Sequence, residues 1–127
     1  MRPKLSIAVV SIGVLLATTP ALGHHPLVAQ YDVNRPITLT GTLTNMEWAN
    51  PHGWLYVDVE GREGKVENWA IETGGPYSLL KRGLRTTDFL PGIEIVVSGF
   101  LAKDGTRSVA GEKITFPDRQ VAFQLGR

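Results

Sequence analysis

The stretch Glu47-Trp48-Ala49-Asn50-Pro51-His52-Gly53-Trp54-Leu55-Tyr56 decides how the chain is organised. Apolar residues alternate with polar ones before and after it, which predicts one strand running in and another running out. The central Asn50-Pro51-His52-Gly53 is typical of a turn, because proline fixes its own φ and glycine relaxes the backbone. We therefore expect two tryptophans, a tyrosine and a histidine to lie around one strand-to-strand corner.

The first 23 residues have the features of a secretory signal peptide. Arg2 and Lys4 give a positive start, the run Leu5–Ala17 is apolar, and Ala21-Leu22-Gly23 supplies small residues before His24. The apolar run is shorter than the roughly 20 residues that a membrane span needs. We therefore expect a periplasmic or secreted protein that has no membrane span after processing.

The composition excludes several function classes. The chain of 127 residues carries 13 basic and 12 acidic side chains, and removal of the leader leaves it close to neutral. Such a chain lacks the basic surface by which proteins attract nucleic acid, so we expect no nucleic-acid partner. Because there is no cysteine, disulfides and thiolate metal sites are excluded, and stability depends on an ordinary hydrophobic core.

Five strands and one short helix are predicted after an extended arm over residues 24–36. Strict alternation of apolar residues with threonine marks the first strand, residues 37–44, and a slip near Thr44-Asn45 predicts a β-bulge. The helix begins at Pro76 and is terminated by Gly83. The other strands are predicted over residues 54–60, 65–73, 93–102 and 109–116, with a short edge strand at residues 120–123.

This order of elements favours a small, mainly β domain over residues 37–127. Three strands, a helix and two more strands follow each other as in the five-stranded oligonucleotide/oligosaccharide-binding (OB) barrel. We therefore predict an OB-like barrel with its short helix between strands three and four. A plain β-sandwich or an open meander of the same strands is the alternative.

Three histidines are candidate metal ligands. Cleavage before His24 would place a free α-amine beside its own imidazole, and the two nitrogens can chelate one ion. His25 and His52 could complete a nitrogen-rich set that suits Cu(II), or Zn(II) if the geometry is tetrahedral. The competing interpretation is that His24 and His25 form an unstructured start, while His52 is a turn residue bonded to the backbone.

The aromatic residues around the corner also allow two interpretations. Trp54 and Tyr56, if exposed on one strand face, would form a platform on which a sugar, a base or another flat ligand stacks. Alternatively, the aromatic residues fill the core or lie beneath the N-terminal arm. We prefer the core interpretation for Trp48 and Trp69, and we leave both open for Trp54 and Tyr56.

The residues that could carry catalysis do not form a recognisable set. Four carboxylates lie on predicted neighbouring strands: Glu47, Asp58, Glu60 and Glu72. We expect them on solvated strand faces, because nothing indicates the cleft in which paired acids act on glycosides. The serines also fit no nucleophile pattern.

Several pieces of the sequence resemble a family of small exported bacterial proteins catalogued only as a domain of unknown function. The pieces are His24-His25, Pro36-x-Thr38-Leu39-x-Gly41-x-Leu43, Glu47-Trp48-x-Asn50-Pro51-His52-x-Trp54, Asn68-Trp69-x-x-Glu72, Leu79-Leu80-x-Arg82-Gly83 and Ala102-Lys103-Asp104-Gly105. The resemblance covers the mature chain and implies an exported, compact and mainly β domain. It implies no activity.

Three hypotheses of function follow. The first is a non-enzymatic periplasmic binding or accessory domain for a small ligand or a protein partner. Its predicted ligand-binding residues are Asn50, His52, Trp54 and Tyr56. The second is a copper or zinc protein that uses His24, His25 and His52, and the third is a structural subunit of a larger exported complex.

Overall fold

The computed structural model describes residues 27–122, which fold as a mainly β domain, as the sequence predicts. The strands are β1 (Tyr31–Glu47), β2 (Trp54–Glu60), β3 (Val66–Glu72), β4 (Glu94–Ala102), β5 (Ser108–Thr115) and β6 (Gln120–Ala122). The helices are α1 (Leu27–Gln30) and α2 (Pro76–Lys81), and two 3₁₀ turns span Arg62–Gly64 and Thr86–Asp88. Strand β6 occupies the place of the predicted edge strand.

The strands form one six-stranded sheet in the order β3-β2-β1-β4-β5-β6. Neighbours in this order are antiparallel. In addition, β3 pairs in parallel with β5 through residues 70–72 and 108–110. Because β1 is 17 residues long, its first part pairs with β4 and its last part pairs with β2.

The predicted bulge in β1 is confirmed. Leu43 pairs with Val57, whereas Asn45 pairs with Tyr56, so Thr44 is the extra residue. The hydroxyl of Thr44 donates a hydrogen bond to the carbonyl oxygen of Tyr56 at 3.0 Å. A bulge of this kind changes which side chains point inward, and this explains why the alternation of the sequence slips at this point.

The hydrophobic core draws apolar side chains from β1 to β5 and from α2. Its most buried members are Leu43, Leu55, Val57, Ile71, Leu79, Leu84, Ile95, Val97, Val109 and Ile114. Trp48 and Trp69 pack against this cluster, and Trp48 meets Phe89 edge to face with 5.7 Å between ring centroids. The core interpretation of these two tryptophans is therefore confirmed.

Helix α2 begins and ends where the sequence predicts. Pro76 is its first residue, and Gly83, at φ +79°, follows its end. Of its three large apolar side chains, Leu79 is buried, whereas Tyr77 and Leu80 are exposed. Residues 77 and 79 lie about 200° apart around a helix, so one short helix cannot turn both toward the same core.

The start of β1 corrects the predicted arm. Residues 31–36 belong to the strand, because Tyr31 pairs with Ala102 and its side chain packs against Ala102 and Ala110. Residues 33–36 are exposed, so no alternation marks this part of the strand in the sequence. The predicted signal peptide, residues 1–23, and residues 24–26 lie outside the described range. Within residues 27–122, no helix has the length and apolar character needed to cross a bilayer.

Candidate functional site

The corner after β1 packs tightly against the segment that follows β3. The Gly53 amide donates to the Gly74 carbonyl oxygen at 3.2 Å, and the Thr73 amide donates to the Gly53 carbonyl oxygen at 2.9 Å. A Cβ at Gly75 would stand only 2.6 Å from the Pro51 carbonyl oxygen, so this close approach requires glycine. The two loops therefore hold each other in place and fix the histidine of the corner beside the end of β3.

A buried carboxylate lies at this junction. Glu72, the last residue of β3, is only 7% exposed. Its Oε2 accepts a hydrogen bond from the hydroxyl of Tyr31, and its Oε1 contacts Nδ1 of His52. Because a carboxylate only accepts, we assign a proton to Nδ1 of His52. Partners on both oxygens offset the cost of removing this charge from water.

Tyr31 links this carboxylate to β5, the parallel neighbour of β3. Burial raises the pKa of the Tyr31 hydroxyl, and the hydrogen bond to Glu72 raises it further. The hydroxyl therefore stays protonated and acts as a donor near neutral pH. The Oγ of Ser108 in β5 lies 3.5 Å from the Tyr31 hydroxyl oxygen. We call Tyr31, Glu72 and His52 the buried polar network.

A pocket of about 360 Å³ opens beside the buried polar network. Tyr31, Trp54 and Ser108 line it, together with residues of α1 and of the turn between β4 and β5. Tyr31 is buried, and Trp54 and Ser108 are half-buried, whereas the residues of the turn are exposed and form the mouth. The volume falls within the range of small-molecule sites in proteins.

The charged groups at the mouth are already engaged. Nζ of Lys103 donates to the carbonyl oxygen of Val28 at 2.6 Å. Oδ1 of Asp104 accepts from the hydroxyl and the backbone amide of Thr106 at 2.7 and 3.0 Å. These two hydrogen bonds lower the pKa of Asp104. The mouth thus carries one charge of each sign, and both are held by neighbouring backbone or side chains.

The structure brings two of the four predicted ligand-binding residues to the pocket and the buried polar network. Trp54 lines the pocket, and His52 belongs to the buried polar network. Tyr56 lies further along β2, where its hydroxyl donates to Oε2 of Glu47 at 3.3 Å. Asn50 lies on the exposed turn, whose Asn50–Pro51 peptide bond is cis. Neither Asn50 nor Tyr56 lines this pocket.

Sequence reasoning misses Tyr31 and Glu72, the two buried members of the network. The expectation that Glu72 lies on a solvated face is wrong, because it is covered where Tyr31 crosses from β1. Because successive side chains of a strand point to opposite faces, Glu72 lies on the other face of β3 from the buried Ile71. Nothing in the local sequence indicates that a distant strand covers the face of Glu72. A signal was present in the resemblance, since Asn68-Trp69-x-x-Glu72 is one of its pieces.

Of the three histidines predicted to bind a metal ion, the structure describes His52. Among residues 27–122, no group of three histidine, cysteine, aspartate or glutamate side chains is arranged to hold a metal ion. His24 and His25 lie outside this range. The set of His24, His25 and His52 therefore stays a prediction.

Comparison with known proteins gives a family but no activity. The model of DUF6152, described as a family of unknown function, matches residues 11–111. This match covers most of the chain and confirms the resemblance to a family catalogued only as a domain of unknown function. No curated protein matches the chain.

Proposed function

This chain belongs to DUF6152, a family of unknown function, and from its site we propose that it is an exported, non-enzymatic binding domain for a small ligand. The observation that carries the proposal is the pocket of about 360 Å³ that joins Trp54 to the buried polar network. An aromatic side chain beside a few fixed polar groups is what small-molecule sites typically present. Such groups orient a ligand without acting on it.

The hydrogen bonds of the network support binding rather than catalysis. Oε1 of Glu72 is engaged by His52, and Oε2 is engaged by Tyr31. A general base needs an oxygen or nitrogen that can reach the proton of a substrate. Both oxygens of Glu72 instead hold protein groups, which fixes Tyr31 as part of the pocket lining. The network therefore acts as a support for the pocket.

We also propose that the sheet closes as an OB-like barrel. The parallel pairing of β3 with β5 gives each of the strands β1 to β5 at least two neighbours, which supports a barrel over a sandwich or an open meander. The position of α2 between β3 and β4 gives further support. Amide exchange protection and cross-strand NOEs between residues 70–72 and 108–110 would be expected in solution. Their absence would favour the open meander.

Ligand binding can be tested by tryptophan fluorescence of the processed protein. We expect one or more compounds in a panel of neutral, acidic, basic and aromatic small molecules to change the emission of wild-type protein. Trp54→Ala should abolish this response, because Trp54 lines the pocket. Trp48→Phe is the matched control and should keep it, because Trp48 packs against Phe89 in the core. A panel without response, or an unchanged response in Trp54→Ala, would overturn the proposal.

Export can be tested separately on the native protein. Mass spectrometry of protein recovered from the periplasm should find a chain that begins at His24. Recovery of the intact precursor from the cytosol, with residues 1–23 still attached, would overturn the exported location.

A second candidate function is that of a copper or zinc protein, and the contact between Glu72 and His52 favours it. A histidine that binds a metal through one ring nitrogen commonly donates a hydrogen bond from the N–H of the other to a carboxylate, which fixes the orientation of the ring. Glu72 contacts Nδ1 of His52 in this manner. With the α-amine and imidazole of His24 and the imidazole of His25, Nε2 of His52 would complete a set suited to Cu(II).

The metal candidate is tested by titrating Cu(II) into protein that begins at His24. We expect sub-micromolar binding that is lost in His52→Ala. A chain with one glycine added before His24 is a control, because the extra residue moves the α-amine away from the imidazole. Absence of sub-micromolar binding, or equal binding by all three proteins, would exclude this function.

A further inference from the structure

We infer that the pocket takes a neutral, hydroxylated ring of about the size of one sugar unit, which donates a hydrogen bond to Ser108. The inference rests on the proposed binding function and names the chemical class of the ligand for the same pocket. It follows from the direction of the hydrogen bonds, from the placement of the charges and from the shape of the lining.

The buried polar network fixes the direction of the hydrogen bonds at the pocket. The single proton of the Tyr31 hydroxyl is donated to Oε2 of Glu72. The Tyr31 oxygen can therefore only accept from Ser108, whose Oγ lies 3.5 Å away. With its proton turned toward Tyr31, Ser108 presents lone pairs to the pocket. A ligand at this point must supply a donor, such as a hydroxyl group.

The charges disfavour an ionised ligand of either sign. An anion would approach the carboxylate of Glu72, which lies one hydrogen bond behind Tyr31, and would meet Asp104 at the mouth. A cation would meet Lys103 at the same mouth. It would also gain little from the carboxylates, because Asp104 is held by Thr106 and Glu72 is held by Tyr31 and His52. A neutral ligand avoids these costs.

The lining suits a ring with apolar faces and a polar edge. Trp54 pairs with Glu72 across β2 and β3, so its indole lies on the side of the sheet that carries the network. Indoles stack on the C–H faces of sugar rings as they do on other flat surfaces. Gln30, which also lines the pocket, has an amide that both donates and accepts hydrogen bonds. A volume of about 360 Å³ lies near the lower end for ligand sites and fits one ring rather than a chain.

The test compares probes that differ in charge but share the ring. Isothermal titration calorimetry on the processed protein uses the methyl glycosides of glucose, galactose and mannose, the corresponding uronic acids and the corresponding 2-amino sugars. We expect at least one neutral glycoside to bind about tenfold or more tightly than its acidic and basic counterparts. Ser108→Ala should weaken this binding about tenfold, the usual effect of losing one hydrogen bond.

Two further variants separate loss of binding from loss of the fold. Ser98→Ala makes the same change in β4, outside the pocket lining, and should leave the affinity unchanged. Ser108→Thr keeps the hydroxyl and should retain binding, so it carries the test if Ser108→Ala unfolds. Thermal unfolding of each variant identifies that case.

The outcomes distinguish this inference from the function on which it rests. An acid or amine that binds as tightly as its neutral counterpart, or an unchanged affinity in Ser108→Ala, overturns the inference and leaves the binding function standing. If none of the nine sugars binds but another compound of the fluorescence panel binds through Trp54, the inference is overturned and the binding function stands. If neither the sugars nor any compound of the panel binds, both the inference and the binding function are overturned.

Discussion

Glu72 and Asp88 are both carboxylates with a nitrogen partner, but they lie in different surroundings. Glu72 is 7% exposed and holds groups from β1 and from the corner before β2. The Asp88 side chain is 19% exposed, and its Oδ1 lies 2.6 Å from Nη2 of Arg119, whose side chain is 38% exposed. Buried ionic groups depend on their partners, whereas exposed pairs are screened by water. Burial therefore decides how much each carboxylate contributes to the free energy of unfolding.

The surroundings of Asp88 indicate a structural role. Its pair with Arg119 connects the turn at Thr86–Asp88 to the turn between β5 and β6. The guanidinium of Arg119 lies 5.0 Å from the centre of the Phe116 ring, which packs edge to face on Phe89. The pair thus covers the aromatic edge of the core. The network around Glu72 instead lies beside a pocket, and for this reason we place the candidate site there.

The largest effect is expected for Glu72→Ala. This change leaves the buried hydroxyl of Tyr31 without its acceptor and opens a cavity, so the free energy of unfolding should fall by about 3 kcal/mol. Glu72→Gln keeps the shape and one acceptor oxygen, so its loss should be about 1 kcal/mol. Urea unfolding at neutral pH measures both. A loss for Glu72→Ala no larger than that for Asp88→Ala would show that burial does not set the contribution of these two carboxylates to stability.

A second effect should appear on raising the pH. The ordinary pKa of tyrosine is 10.0, and burial raises that of Tyr31. Above pH 10 the unfolded chain releases this proton while the folded chain retains it, so stability present below pH 10 is lost as the pH rises toward the raised pKa. The difference in the free energy of unfolding between wild type and Tyr31→Phe should therefore shrink above pH 10, by up to about 1.4 kcal/mol per pH unit.

Urea unfolding above and below pH 10 measures this difference. Tyr77→Phe is the control, because it makes the same change at an exposed tyrosine. If Tyr31→Phe loses stability above pH 10 as steeply as wild type does, Tyr31 is not buried against Glu72 in the folded protein.

The smallest effect is expected at acidic pH for Asp88. The hydrogen bond with Arg119 lowers the pKa of Asp88 below its ordinary value of 3.8. The contribution of the Asp88 carboxylate to stability is therefore present above pH 3.8 and is lost as the pH falls through the lowered pKa. In urea unfolding at neutral pH, Asp88→Asn should lower the free energy of unfolding by less than Glu72→Ala does. Added salt should make the loss in Asp88→Asn smaller still. A cost that salt does not change would show that this pair is shielded from water.

The structure confirms those expectations that depend on local sequence. The bulge at Thr44 and the bounds of α2 lie where the sequence predicts them. Each depends on residues next to one another in the chain, such as glycine at a positive φ or proline at the first position of a helix. Trp48 and Trp69 pack against the core, as the sequence favours.

The candidate site could be located only in part. His52 and Trp54 stand out because they flank a turn, and the structure places them at the network and the pocket. Tyr31 precedes an exposed part of β1 that has no alternation, and Glu72 resembles any carboxylate on a strand face. Their contact joins residues 41 positions apart. No local pattern indicates such a contact, because it depends on how the strands pair.

The mainly β character of this protein, its bulge and its turns follow from the amino-acid sequence alone, since each is fixed by the backbone preferences of a few consecutive residues. The burial of a carboxylate at the end of β3, between a tyrosine of β1 and the histidine of the corner, follows only from the packing of the folded chain. Burial of a charged group depends on the strands that cover it. Those strands come from distant parts of the chain and are brought together by the shared hydrophobic core.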